Sequence, residues 1–158
     1  MLIQNLLVAT GMVSGTVVFH FLGLAALIAI LNTPIPKRLR AGSGFQRALT
    51  ILMTVFGLIA MHTVEIWAYA SLYLVLGEFG DVQVALYYSA TTFSTLGYGD
   101  VVLSAAHRTI GAIEGVNGFI LIGWSTAFLV SVTNRMGLLE ARLTHSDEPP
   151  PSDRADSP

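Results

Sequence analysis

Two glycines at alternate positions, Gly97 and Gly99, follow a pair of hydroxyl residues, Ser94 and Thr95, in a chain of 158 residues. Glycine readily adopts the positive φ values that other residues avoid. Glycines at alternate positions can therefore bring consecutive backbone carbonyls to one side of the chain. A row of such carbonyls could replace the water that a cation loses in a narrow passage. The chemistry indicated by this spacing is coordination of a cation by main-chain oxygens.

The elements around this segment belong to a membrane protein. Hydrophobic residues make up 53% of the chain and charged residues only 11%, whereas soluble domains carry about 25% charged residues. Three apolar stretches are long enough to cross about 30 Å of hydrocarbon as helices. We predict an all-α membrane protein with transmembrane helices at residues 1–31, 47–77 and 109–134.

A shorter apolar segment, residues 82–94, lies between the second and third of these helices. As a helix it would cross only about two-thirds of the hydrocarbon, and Asp81 can cap its start. This length is typical of a re-entrant helix, which is tolerated at membrane depth only when it is buried in protein or lines a watery cavity. The helix leads directly into residues 95–100 and would position their carbonyls.

Basic residues predict the orientation in the membrane. Half of the eight basic residues fall in or next to the loop 32–46, which also contains prolines and glycines. By the positive-inside rule this loop is cytoplasmic, so we expect the N-terminus outside, the C-terminus in the cytoplasm and a cell-membrane location. Residues 135–158 form a cytoplasmic tail rich in proline and acidic residues, which we expect to be largely disordered. The basic residues of the loop region are Lys37, Arg38, Arg40 and Arg47.

The run ALYYSATTFSTLGYGD, residues 85–100, resembles the pore helix and selectivity filter of bacterial two-transmembrane potassium channels along its whole length. The resemblance implies passive conduction of K+ by a homotetramer, in which four filters surround one pore and residues 47–134 form the pore domain. The implied K+ ligands are the carbonyls of Thr95, Leu96, Gly97 and Tyr98 together with the Thr95 hydroxyl. Relatives more often carry valine or isoleucine where Leu96 stands, which leaves the backbone ligands unchanged.

The same resemblance implies a supporting shell around the filter. Tyr98 would turn away from the axis and contact Tyr88, and Tyr87 would reach the Asp100 carboxylate. Many relatives carry tryptophans where these two tyrosines of the short helix stand, and some carry a glutamate in place of Thr91. The network around Asp100 is therefore less acidic in this chain.

Two glutamates fall within the predicted spans, where ionisable groups are costly and are functional candidates. We expect Glu65 and Glu114 to brace the short helix, because buried polar groups usually satisfy their neighbours. A proton-sensitive gate is the alternative. The residues of the short helix whose hydroxyl groups these glutamates could contact are Ser89, Thr91 and Thr92.

Two histidines, His20 and His62, also fall within the spans, and we expect both imidazoles to be buried and neutral. An intramembrane hydrolase built on His62 and Glu65 is less favoured, because the sequence offers no second histidine at metal spacing and no apparent Ser-His pair. No catalytic residues are predicted.

Glycines in the long helices allow two interpretations. Gly118 aligns with the hinge glycine at which the inner helix of relatives bends, and Gly123 is a second candidate hinge. The alternative is close packing of small residues between helices. Gly11 and Gly15 in the first helix are weaker indications of such a contact.

Other functions remain as alternatives. A weakly selective cation channel is disfavoured by the presence of Tyr98, and a non-conducting accessory subunit is disfavoured by the intact filter. No span carries arginines at every third position, so a voltage sensor is not indicated. We expect no enzymatic activity and no cofactor beyond K+ as the permeant ion. The expected partners are K+, further copies of the chain and membrane lipid, with no nucleic acid.

Overall fold

The computed structural model describes residues 1–32 and 44–135. Most of the predicted cytoplasmic loop and of the tail after residue 135 lies outside the described residues. The described residues form four helices, and no strand is found among them: α1, Leu2–Asn32; α2, Gly44–Val75; α3, Val82–Phe93; and α4, Arg108–Arg135. The prediction of an all-α fold is confirmed.

Three of the helices, α1, α2 and α4, are long and apolar enough to cross a membrane. Their apolar spans contain 30, 29 and 28 residues, which corresponds to roughly 45 Å of helix or slightly less. Large apolar side chains on their surfaces are exposed in the single chain; Phe56 and Phe119, for example, are 66% and 69% exposed. Exposed apolar surface of this extent is typical of contact with lipid or with further protein chains.

The short helix α3 lies between α2 and α4 and contacts both. Its 12 residues extend about 18 Å, so it covers little more than half of the hydrocarbon thickness. The helix ends at Phe93: Ser94 is the C-cap, whose backbone N–H still bonds to the carbonyl of Ala90, and the next residue, Thr95, has a φ of 62°, outside the helical range. Aromatic and aliphatic side chains of α2, α3, α4 and the segment between α3 and α4 form the core around it: Tyr69, Tyr73, Tyr88, Phe93, Leu103, Ile110 and Leu121.

Helix α1 packs against α4 and α2 through buried polar groups as well as apolar ones. The Asn117 amide of α4 donates to the Thr16 hydroxyl of α1 at 2.7 Å and to the Tyr69 hydroxyl of α2 at 3.1 Å. Near the start of α1, the Asn5 amide donates to the backbone carbonyl of Ala106. The N-terminal end of α1 therefore lies beside the segment that precedes α4.

Glycines permit the close approach of α1 and α2. They are not Gly11 and Gly15, the glycines that the sequence suggested. A Cβ atom at Gly23 of α1 would lie 2.6 Å from the Met61 side chain, and one at Gly57 of α2 would lie 2.7 Å from Leu27. A Cβ atom at Gly11 or Gly15 would meet nothing within 4 Å. Small residues therefore contribute to helix packing in α1, but nearer its C-terminal end than expected.

Candidate functional site

Helix α3 positions the segment that follows it. The Asp81 carboxylate caps the start of α3 by accepting from the Gln83 backbone N–H at 2.8 Å. At the other end, the backbone N–H of Thr95 donates to the carbonyl of Thr92 at 2.9 Å, and that of Gly97 donates to the carbonyl of Thr91 at 3.0 Å. These bonds hold the first half of residues 95–100 directly against the C-terminal end of the helix.

The backbone of this segment has positive φ at every second residue. The φ angles are 62° at Thr95, 53° at Gly97 and 77° at Gly99. Glycine accepts this conformation without strain, whereas it costs a non-glycine residue such as Thr95 about 1–3 kcal/mol. Thr95 is the one non-glycine residue with positive φ among the described residues. Alternation of this kind turns consecutive carbonyls towards the same side of the chain.

The carbonyls of the segment are free to bind a ligand. None of the described residues donates a hydrogen bond to the carbonyl oxygen of Thr95, Leu96, Gly97 or Tyr98. The whole segment is exposed in the single chain, and the side chains of Leu96 and Tyr98 are 60% and 68% exposed. The arrangement offers a row of unused acceptors that suits a cation.

Tyr87 reaches the far end of the segment. Its hydroxyl donates to the Asp100 carboxylate at 2.7 Å, and this hydrogen bond raises the pKa of Tyr87 above the usual 10.0. Tyr88 turns the other way: its ring packs edge-on against Tyr73, with the ring centres 5.3 Å apart. The structure therefore places Tyr88 in the core rather than against Tyr98, which is exposed.

Glu114 of α4 joins three helices. Its fully buried carboxylate accepts from the Tyr73 hydroxyl of α2 at 2.6 Å and from the Ser89 hydroxyl of α3 at 2.6 Å. Of the three hydroxyl residues considered from the sequence, Ser89 is the one that Glu114 contacts. Thr91 donates to the carbonyl of Tyr88 within its own helix, and the Thr92 backbone faces Gly115 of α4.

Glu65 lies away from α3, contrary to the sequence-based expectation. One of its carboxylate oxygens lies 2.9 Å from Nδ1 of His20, and the other lies 2.8 Å from Nδ1 of His62. Nε2 of each histidine faces the Ser125 hydroxyl of α4, at 3.3 Å and 3.0 Å. The side chains of His20 and Glu65 are fully buried, and that of His62 is 18% exposed. No local sequence signal joins His20 to Glu65, because 45 residues separate them.

The two candidate hinge glycines lie in different surroundings. A Cβ atom at Gly118 would overlap the carbonyl of Phe93, the last residue of α3. A Cβ atom at Gly123 would meet nothing within 4 Å. Gly118 therefore sits where the backbones of α3 and α4 touch, as the packing interpretation requires.

A family model described as an ion channel matches residues 61–135. The matched region covers the second half of α2, all of α3, the segment 95–100 and all of α4. No curated protein and no solved structure matches the chain. The match indicates an ion channel, and with the three apolar helices it indicates a multi-pass membrane protein. Helix α1 lies outside the matched region.

Proposed function

We propose that this chain is one subunit of a homotetrameric, potassium-selective channel. Residues 95–100 are its selectivity filter, and K+ is bound by the carbonyls of Thr95, Leu96, Gly97 and Tyr98 and by the Thr95 hydroxyl. Helices α2 and α4 are the outer and inner helices of the pore. The channel conducts K+ passively, so it needs no cofactor and catalyses no reaction.

The alternating positive φ angles at Thr95, Gly97 and Gly99 are the observation that carries this proposal. An ordinary extended strand directs its carbonyls alternately to opposite sides and cannot surround an ion. Positive φ at alternate residues brings consecutive carbonyls to one side, and these carbonyls have no hydrogen-bond donor among the described residues. A dehydrated K+ ion requires such a set of oxygens to replace its hydration shell.

Four copies are proposed because one chain contributes only one carbonyl to each ring of ligands. The exposed side chains of Leu96 and Tyr98 fit this arrangement, since neighbouring chains would cover them. The C-terminal end of α3, which carries about half a negative charge, lies beside the filter and would favour a cation there. We place the N-terminus outside and the C-terminus in the cytoplasm of the cell membrane, because the basic residues cluster between α1 and the start of α2.

Flux of K+ and Na+ into liposomes that contain the purified protein tests the proposal. Gly97→Ala places a side chain at φ +53°, and Gly77→Ala does the same at φ +72° outside the filter. A Cβ atom meets nothing within 4 Å at either glycine, so both variants carry similar local strain. We expect selective K+ flux in the parent protein and in Gly77→Ala, and its loss in Gly97→Ala.

Two results would contradict the proposal. Equal flux of Na+ and K+ through the parent protein would show a weakly selective cation channel. Absence of flux from a preparation shown to be tetrameric, across the pH range and at both polarities of voltage, would indicate an accessory protein instead.

A further inference from the structure

The buried cluster of His20, His62, Glu65 and Ser125 joins all three long helices and has no part in the proposed filter. His20 comes from α1, His62 and Glu65 come from adjacent turns of α2, and Ser125 comes from α4. One ligand atom from each of His20, His62 and Glu65 lies within 4.8 Å of the other two. The two imidazole rings stack with their centres 5.4 Å apart. Each ring has Nδ1 beside the Glu65 carboxylate and Nε2 beside the Ser125 hydroxyl.

The hydrogens of this cluster do not balance when Glu65 is ionised and both rings are neutral. An ionised carboxylate only accepts hydrogen bonds, so both facing Nδ1 atoms must carry a hydrogen. Both Nε2 atoms are then acceptors, and both face the Ser125 hydroxyl. Because this hydroxyl has one hydrogen, one Nε2 atom is left facing an oxygen without a donor. The cluster is therefore short of one hydrogen.

A metal ion that takes the place of the two Nδ1 hydrogens corrects the hydrogen bonds and also neutralises the Glu65 carboxylate. If the two Nδ1 atoms and the Glu65 carboxylate bind the ion, the ring hydrogens move to the Nε2 atoms of His20 and His62. Both Nε2–H groups then donate to Ser125, whose oxygen has two lone pairs. Metal-bound histidines usually donate their second ring N–H to such an outer partner, which fixes the tautomer and the ring orientation.

The geometry points to a binding site for one divalent transition-metal ion of the zinc class, held by His20, His62 and Glu65 and supported by Ser125. Two imidazoles and one carboxylate form a ligand set typical of zinc sites that keep a position open. Calcium and magnesium prefer sets made of oxygen alone, so this set selects against them. The contacts of 2.8 and 2.9 Å between carboxylate and imidazole need to widen to about 3.3 Å around a tetrahedral zinc ion.

The surroundings of the cluster favour a bound cation over an empty charged pocket. The ring of Trp124 lies 5.5 Å from that of His20, and the ring of Phe93 lies 5.8 Å from that of His62. No lysine or arginine contacts Glu65 among the described residues. An unpaired carboxylate at this depth is costly. A bound ion would also fasten α1 to the pore-forming helices, whatever ion the channel conducts.

Binding of Co2+ and Zn2+ to the purified, tag-free, full-length protein in detergent tests this site. Of the four histidines, His107 and His145 lie elsewhere in the chain, so the His107→Gln/His145→Gln variant serves as the background. In this background we expect one Co2+ per chain with the intense visible absorption of tetrahedral cobalt, displaced by Zn2+. Loss of one ligand in His20→Gln should weaken binding at least about tenfold.

Ser125→Ala keeps every proposed ligand and removes only the outer hydrogen-bond acceptor. It should weaken binding by about 10- to 100-fold and remain testable if His20→Gln does not fold. Circular dichroism and gel filtration of each variant verify folding. The site is disproved if the folded background protein binds no Co2+, or if binding survives both substitutions unchanged. In the first case a single extra proton shared by Glu65 and the histidines, rather than a metal ion, completes the cluster.

Discussion

Gly118 of α4 lies directly against the backbone carbonyl of Phe93, the last residue of α3, and no Cβ atom fits between them. This contact fixes the end of α3 from which the segment 95–100 continues. The position of Gly118 therefore has a packing explanation in this chain that does not depend on bending of α4. Gly123, five residues further on, has open space beside it.

Substitution of Gly118 by alanine should destabilise the protein. The added methyl group overlaps backbone rather than the end of a flexible side chain, and such overpacking typically costs about 1–3 kcal/mol. Thermal unfolding in detergent measures the effect. The matched control is Gly123→Ala, which we expect to be neutral or slightly stabilising. Unchanged stability of Gly118→Ala together with altered channel opening would favour the hinge interpretation instead.

Removal of the Glu114 carboxylate should loosen α3. In Glu114→Ala the buried Tyr73 hydroxyl loses its acceptor, and the Ser89 hydroxyl keeps only its contact with the Ile66 carbonyl at 3.0 Å. We expect a loss of about 2–5 kcal/mol. Tyr73→Phe and Ser89→Ala should each cost less, and the double variant should deviate from additivity by about 0.5–3 kcal/mol because they share one partner.

Tyr87→Phe is the control for this network. It also removes a hydroxyl bonded to a carboxylate, but that bond is exposed, so we expect a smaller loss of stability than in Glu114→Ala. Thermal unfolding measures both variants. Equal losses of stability in Tyr87→Phe and Glu114→Ala would show that burial of the Glu114 network adds nothing to the stability of the protein.

Acid should remove a stabilising contribution from Glu78, which lies between α2 and α3. Its carboxylate accepts from the backbone N–H and hydroxyl of Ser104, at 2.7 and 2.6 Å, and contacts Nδ1 of His107. Burial alone would raise the pKa of Glu78, but the hydrogen bonds from His107 and Ser104 outweigh it and hold this pKa below the usual 4.5. The folded state therefore binds the proton less readily than the unfolded state.

The sign of the pH dependence follows from this difference. Glu78 contributes its full stabilisation above the unfolded-state pKa, and the contribution disappears as the pH falls through the lower folded-state pKa. The unfolding temperature of the parent protein should exceed that of Glu78→Gln when the pH is above 4.5, and the difference should shrink as the pH falls below that value. A difference that stays constant over this range would show that the carboxylate charge is not involved.

The class of the fold and the backbone conformation at Gly97 and Gly99 were predictable from the sequence because both depend on local properties. Apolar length alone predicts the helices that cross a membrane, and the three long helices are found where that length indicated. The positive φ angles at Gly97 and Gly99 also follow from residue type. The positive φ at Thr95 does not follow from residue type, and it accompanies the hydrogen bonds that join Thr95 and Gly97 to the end of α3.

The tertiary structure decided which helix faces meet. Glu65 of α2 was expected to brace α3, but its carboxylate lies between His20 and His62. The second histidine, which the sequence lacked at metal spacing, comes from α1. The glycines that pack α1 against α2 are likewise Gly23 and Gly57. Helices that are apolar on all sides carry no stripe that marks the buried face, and lipid offers no hydrophobic preference between one face and another. Packing shape and buried hydrogen bonds therefore select the contacts, and these exist only once the helices are assembled.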